Sequence, residues 1–151
     1  MTKILFVCHS NICRSPMAEF VMKDLVKKAG LEEQVKIASA ATSREEIGND
    51  VHPGTKQKLR EMDIPFTKRH ARQITKADYK EYDYIIGMDH YNLRNMKRIL
   101  GEDSEQKISL LYQFVGVDKD IADPWYTGNF DETYKDVEIG CKALLKELKE
   151  K

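Results

Sequence analysis

The chain alternates short, unbroken apolar runs with longer stretches in which apolar residues recur every three or four positions. Ile4-Leu5-Phe6-Val7 is apolar throughout, as expected of a strand covered on both faces. Ser15 before Pro16 predicts a helix start, with Ser15 as the cap; Met17, Val21, Leu25 and Ala29 then follow at helical spacing until Gly30 ends the run. Residues 35–39 predict a second strand, residues 55–62 a helix with Leu59 and Met62 inward, and Thr75 a cap for a short helix reaching Tyr82. Residues 84–88 predict a third strand, Asp89 a cap for a helix carrying Leu93, Met96 and Leu100, and residues 108–111 a fourth strand. A loop is expected from about Val115 to Phe130, then a last helix with Tyr134, Val137, Cys141, Leu144 and Leu148 on one face.

This alternation predicts an α/β fold: a three-layer sandwich with a four-stranded parallel sheet and helices on both faces. Residues 1–151 are expected to form one domain, a length that buries a core without disulfides or metals. Ligands of such sheets bind beyond the carboxyl ends of the strands. The segment after Val7 is therefore where chemistry is expected.

Composition narrows the picture. Lysine plus arginine balance aspartate plus glutamate at 25 each, so no overall charge points to nucleic acid or an anionic membrane, and an anion site must be local. No stretch approaches the ~18 apolar residues of a membrane span, and the apolar start is too short for a signal peptide. The three cysteines, Cys8, Cys13 and Cys141, are too few for a disulfide framework, and a cytoplasmic location is expected.

The segment Cys8-His9-Ser10-Asn11-Ile12-Cys13-Arg14-Ser15 joins the first strand to the first helix. Phosphoryl transfer to a thiol needs an ionised sulfur, which a free thiol with a pKa of ~8.5 mostly is not at neutral pH. A helix N-terminus and an arginine both favour the thiolate. Successive backbone N–H groups of a tight loop form an anion nest, Arg14 can grip two phosphate oxygens, and Ser15 can donate its hydroxyl to the sulfur. A cysteine after a buried strand can also be a small core residue. The conjunction of apolar strand, Cys-x5-Arg-Ser, proline and amphipathic helix favours the phosphate loop. The nucleotide-binding pattern G-x-x-x-x-G-K-[ST] is absent.

The run Val7 to Glu19 closely resembles the signature of the low-molecular-weight protein tyrosine phosphatases, and the resemblance continues through Ser39-Ala40-Ala41-Thr42-Ser43, Ala71-Arg72-Gln73-Ile74, Met88-Asp89-His90-Tyr91-Asn92-Leu93 and Asp123-Pro124-Trp125-Tyr126. It implies a phosphotyrosine protein or small aryl phosphate as substrate, phosphate as product, a phosphocysteine intermediate on Cys8, and no metal or cofactor. It also implies that Asp123 is the general acid and then the general base, worth roughly 10²–10⁴-fold. Local sequence alone allows Asp123-Pro124 to be only the start of a turn. The loop residues His9, Ser10, Asn11, Ile12 and Cys13 would bind phosphate, Asn11 and Ser39 would hold the loop in its strained shape, and Asp89 would either steady Arg14 or simply cap its helix. Trp125 and Tyr126 would flank the pocket. Cys13 would form a reversible disulfide with Cys8 under oxidation.

Several positions depart from the family's pattern. Ser10 stands where glycine is frequent and would be strained if its φ were positive. His9 either adds positive field beside Cys8 or lines the rim. The position where relatives carry a histidine that touches the loop asparagine is Arg69 here, with His70 next, and no role carries over to either. The wall after Ser43 reads Arg44-Glu45-Glu46 rather than apolar, so Glu45 is expected to favour a basic flank in a peptide substrate. An arginine phosphatase of this fold carries threonine where this chain has Ile12. An arsenate reductase would need further shuttle cysteines, and only Cys141 is available.

Overall fold

The computed structural model describes all residues, Met1–Lys151. Four strands, β1 (Thr2–Cys8), β2 (Val35–Ala41), β3 (Tyr84–Gly87) and β4 (Ile108–Leu110), form one sheet in the order β2-β1-β3-β4, with every neighbouring pair parallel. The helices are α1 (Arg14–Lys28), α2 (Pro53–Glu61), α3 (Lys76–Glu81), α4 (His90–Leu100), α5 (Pro124–Thr127) and α6 (Phe130–Lys149), with a 3₁₀ turn at Leu111–Val115. None is long and apolar enough to cross a membrane.

The two-residue period of β1 divides the core. Ile4, Phe6 and Cys8 point into a cluster with Met17, Val21, Leu59, Val137, Cys141 and Leu144, contributed by α1, α2 and α6. Leu5 and Val7 point the other way, into Ile74, Tyr82, Ile85 and Met96, beneath α3 and α4. A strand buried on both faces has no polar position to spare, which is why β1 reads as a continuous apolar run. The expected three-layer sandwich is therefore present.

Several boundaries differ from expectation. Helix α2 starts at Pro53 and ends at Glu61, so Met62, expected inward, lies past its end and is exposed; β3 and β4 each end one residue early, at Gly87 and Leu110. Strand β2 runs two residues beyond Ser39, to Ala41. Helix α1 starts at Arg14 with Cys13 at the cap position and no side-chain cap, because the Ser15 hydroxyl is turned to the Cys8 sulfur instead. The segment expected to be a loop from Val115 to Phe130 contains α5, whose cap is Asp123: its carboxylate accepts the Trp125 N–H at 3.0 Å. An Asp-Pro pair is a helix-start signal as well as a turn signal, and four residues are too few for periodicity to register.

The strand order places the site. The chain leaves β1 for β2 on one side and crosses to β3 on the other, so the connections diverge between the carboxyl ends of β1 and β3. The Cys8 loop leaves one of these ends and Asp89 follows the other.

Candidate active site

The loop from Cys8 to Arg14 has its carbonyl groups tied outward. The oxygens of Cys8 and His9 accept from the N–H groups of Thr42 and Ser43, each at 3.0 Å, and that of Ile12 from the N–H of His52 at 2.8 Å. The oxygen of Asn11 accepts from Arg69 Nη1 at 3.0 Å, and that of Cys13 from the Thr55 hydroxyl at 3.2 Å. With the oxygens facing out, the amides face in. Asn11 N–H and Ser15 N–H point at Cys8 Sγ, at 3.3 and 3.4 Å. The N–H groups of His9, Ser10, Ile12, Cys13 and Arg14 donate to no protein group, which makes them a ready anion nest.

Backbone strain falls on Asn11, with φ 61°, and not on Ser10; the condition under which serine would be strained at position 10 is not met. Asparagine tolerates the left-handed region, and this one is completely buried. Its side chain is also fixed in direction. Arg69 Nη2 donates to Asn11 Oδ1, as does Arg72 N–H at 3.3 Å. Because a guanidinium has no acceptor, Oδ1 must face it, and Nδ2 then faces Ser15 Oγ at 2.7 Å. Ser15 Oγ accepts there, which leaves its proton for Cys8 Sγ at 3.1 Å. The relay Arg69–Asn11–Ser15–Cys8 thus delivers a donor to the sulfur, and donors to a thiolate favour it.

Ser39 does not touch the loop. Its hydroxyl donates to Glu19 Oε1 at 2.5 Å, and Glu19 lies 3.7 Å from Arg69 Nε and 2.6 Å from Lys23 Nζ. Ser39 therefore reaches the loop only through two intermediaries, Glu19 and Arg69. Burial pulls the Arg69 guanidinium below the ordinary arginine value, against the charges of Glu19 and Cys8. His70 turns away, with Nδ1 on the Gly48 carbonyl at 2.8 Å. Arg69 is the functional residue that the local pattern missed: its contact spans 58 positions, and only its place ahead of Ala71-Arg72 hinted at it.

Asp89 does both jobs proposed for it. Oδ1 accepts the Asn92 N–H at 2.7 Å as the α4 cap, and Oδ2 accepts from Arg14 Nη1 at 2.7 Å. The buried Arg14 also donates to the Ile121 carbonyl at 2.8 Å, and its Nη2 lies 3.5 Å from Asp123 Oδ2. Burial lowers the pKa of Arg14, but the charges of Cys8 and Asp89 outweigh it and raise the net value. Arg14 Nε is buried without a protein partner.

The mouth is a narrow cleft of about 80 Å³ lined by His9, Ser10, Ile12, Glu45, Glu46, Asp123, Trp125 and Tyr126. Trp125 and Tyr126 stand at its rim, 57% and 80% exposed. His9 is also at the rim, with Nε2 2.8 Å from Glu45 Oε2. The expected wall residues are therefore together, and Asp123 lies among them. Beneath the loop, Ile12 and Cys13 pack with Ala71 and Phe130. Burial first, then the charge of Cys8, pushes the Cys13 thiol far up. Cys141 is remote, wholly buried in α6 with Sγ 3.8 Å from the Ala18 carbonyl.

Comparison with known proteins agrees with this geometry. The family model for low molecular weight phosphotyrosine protein phosphatase matches residues 3–151. The chain is 43% identical over 148 residues to the low molecular weight protein-tyrosine-phosphatase YfkJ of Bacillus subtilis, covering 96% of this chain and 94% of that one. The crystal structure of YfkJ superposes with a TM-score of 0.95 at 41% identity, covering 99% and 96% of the two chains. That of the low molecular weight protein tyrosine phosphatase from Streptococcus pyogenes gives 0.88 at 43%, covering 98% and 93%. A crystal structure of the Drosophila arginine phosphatase gives 0.89 at 29%, covering 98% of each chain. A loop of inward amides around a cysteine, the arginine that follows it and a whole-chain match all lead to one assignment: the chain belongs to the low molecular weight phosphotyrosine protein phosphatase family and is an enzyme of that kind.

Proposed function

We propose that residues 1–151 form one phosphatase domain that hydrolyses phosphotyrosine through a phosphocysteine on Cys8. The observation that carries this reading is the set of uncommitted loop amides arranged around Cys8 Sγ, with Arg14 Nε also unpartnered. Three phosphate oxygens have donors waiting, and the sulfur lies at their centre. The thiolate attacks phosphorus, the bond to the phenolic oxygen breaks, and Asp123 gives that oxygen its proton. Asp123 then takes a proton from water, the water oxygen attacks phosphorus, and the thiolate leaves with inorganic phosphate released. Arg14 holds the equatorial oxygens, while Asp89 and the Ile121 carbonyl fix its guanidinium.

The walls of the cleft and the family resemblance support an aromatic ester. Ile12, Trp125 and Tyr126 line the cleft beside Asp123, apolar surface that suits a flat ring. Ile12 also offers no hydroxyl to a phosphoguanidinium, which favours tyrosine over the arginine phosphatase chemistry of the Drosophila relative. Arsenate reduction would need a mobile cysteine shuttle, and Cys141 is locked in the core. A thiol nucleophile must stay reduced to work, which suits a reducing compartment such as the cytoplasm. Under oxidation, a sulfenic acid at Cys8 would condense with the Cys13 thiol to a disulfide, releasing water.

The test is hydrolysis of p-nitrophenyl phosphate in excess chelator. Cys8→Ser should be inactive, and Asp123→Ala should lose roughly 10²–10⁴-fold on phenyl phosphate. Normal turnover by the Cys8→Ser protein would refute the mechanism. Faster release of phosphate from phosphoarginine than from phosphotyrosine would refute the substrate.

A further inference from the structure

The segment that joins the 3₁₀ turn to α5 carries two of the groups that fix Arg14, the Ile121 carbonyl and Asp123, yet it has little core of its own. Ile121 is buried and its N–H donates to the Met88 carbonyl at 2.9 Å, but Val117, Asp118, Lys119 and Asp120 are exposed. Two ties hold this exposed end: Lys119 Nζ, 3.0 Å from Asp136 Oδ1, and one imidazole that takes the two flanking aspartates. His90 Nδ1 lies 2.6 Å from Asp120 Oδ1 and Nε2 lies 3.0 Å from Asp118 Oδ1; the His90 backbone N–H also donates to Asp120, at 3.0 Å. A neutral imidazole has one N–H, so only the doubly protonated ring donates to both carboxylates. The residue before it, Asp89, holds Arg14 directly. Two consecutive residues at the start of α4 therefore grip the guanidinium from one side and the segment that holds its other side.

We propose that His90 is a positioning residue for the reaction: as an imidazolium strapped between Asp118 and Asp120, it seats residues 118–123 so that the Ile121 carbonyl and the Asp123 carboxylate meet Arg14. The inference rests on the roles given above to Arg14 and Asp123. The charged groups around the ring are few. Asp118 and Asp120 face it from the segment. From α4, Asp89 is turned to Arg14, and Arg94 lies over the Tyr91 ring at 5.9 Å. Lys119, between the two aspartates in sequence, is turned away to Asp136 at 3.0 Å. The hydrogen bond to Asp120, then the charge of Asp118, raises the His90 titration from its ordinary value. The strap is complete below that titration and loses one of its two ring donors as pH rises through it.

The test measures kcat and KM on phenyl phosphate for wild type, His90→Ala and the Asp118→Asn/Asp120→Asn double variant, from about pH 6 to about pH 9. At about pH 6 both variants should turn over about two- to fivefold more slowly, the size that two half-exposed ion pairs support. The ratio to wild type should narrow toward one by about pH 9, where the wild-type ring has lost one of its two donors. A ratio of one throughout overturns the proposal. So does a deficit that is the same at every pH, which is what a merely structural loss would give. Cys8→Ser in the same assay keeps the two readings apart: turnover there overturns the mechanism, whereas an inactive Cys8→Ser with a flat His90 ratio overturns only the strap.

Discussion

Replacing Arg69 with alanine should impair Cys8 without touching it. Arg69 gives two donors to Asn11, one to its backbone oxygen and one to Oδ1, and these hold a non-glycine residue at φ 61°. Hydrogen bonds from a charged donor contribute roughly 1.5–3 kcal/mol each. Glu19 keeps Ser39 and Lys23 as partners in the variant, so no buried carboxylate is stranded. A total loss of roughly 2–4 kcal/mol follows for this partly buried pair of bonds, which for a chain of this size lowers Tm by roughly 5–15 °C. The chemical effect is separate. Without the guanidinium, Asn11 can rotate its amide, and Ser15 no longer has its proton directed at Sγ. Losing one oriented hydroxyl donor is worth about 1 kcal/mol, so alkylation of Cys8 by iodoacetamide at neutral pH should slow about fivefold. Arg69→Gln, which can serve Oδ1 alone, should fall between. An Arg69→Ala protein that melts within about 1 °C of wild type and alkylates at the same rate would refute the relay.

Three other substitutions or treatments have outcomes set by the same packing and hydrogen bonds. Asp50 is held at a pKa of about 2, first by its hydrogen bond from Lys56 and also by the Arg69 and Val51 N–H groups; because the folded value is depressed, its contribution is present above about pH 4 and lost as pH falls towards 2, so Asp50→Asn should flatten that part of the acid unfolding curve. After peroxide treatment the wild-type enzyme should recover activity with dithiothreitol, whereas Cys13→Ser should lose activity irreversibly; equal recovery by the two would remove Cys13 as a partner. A Cβ at Gly140 would meet Leu111 Cγ at 2.5 Å, so Gly140→Ala should lower stability by about 1 kcal/mol despite the better helix former, and Leu111→Ala in the same chain should reverse the effect of the glycine substitution.

The fold was legible because its strands are buried on both faces. Residues 4–7 and 84–88 leave no ambiguity of period, and the long helices repeat their apolar positions often enough to register. Strand β4 and α5 are only three and four residues long, so their boundaries depend on tertiary contacts that no local pattern records. The site was legible where function concentrates in one contiguous loop, from Cys8 to Ser15. It was less so where support comes from far along the chain. Asp89 was legible as either a helix cap or a support for Arg14, and that it is both at once depends on β3 lying beside β1. Arg69 was marked only by its place ahead of Ala71-Arg72, and no role could be read for it, since a single arginine in a polar stretch reads as solvated surface. Ser39 was assigned to the loop, and its bond to Glu19, which in turn lies against Arg69, places it two partners away. Whether Ser10 would be strained hung on its φ, and the positive φ of the loop lies one residue on, at Asn11.

The central claim is a covalent bond between phosphorus and Cys8 Sγ. Rapid acid quenching of the Asp123→Ala protein with p-nitrophenyl phosphate, a substrate whose leaving group hardly needs an acid, should slow water attack and let that species accumulate. Intact-mass and peptide analysis should then find one phosphoryl group on the peptide that carries Cys8, and none in the Cys8→Ser protein. Phosphate on another side chain, or full turnover with no covalent phosphate at any time, would contradict the account.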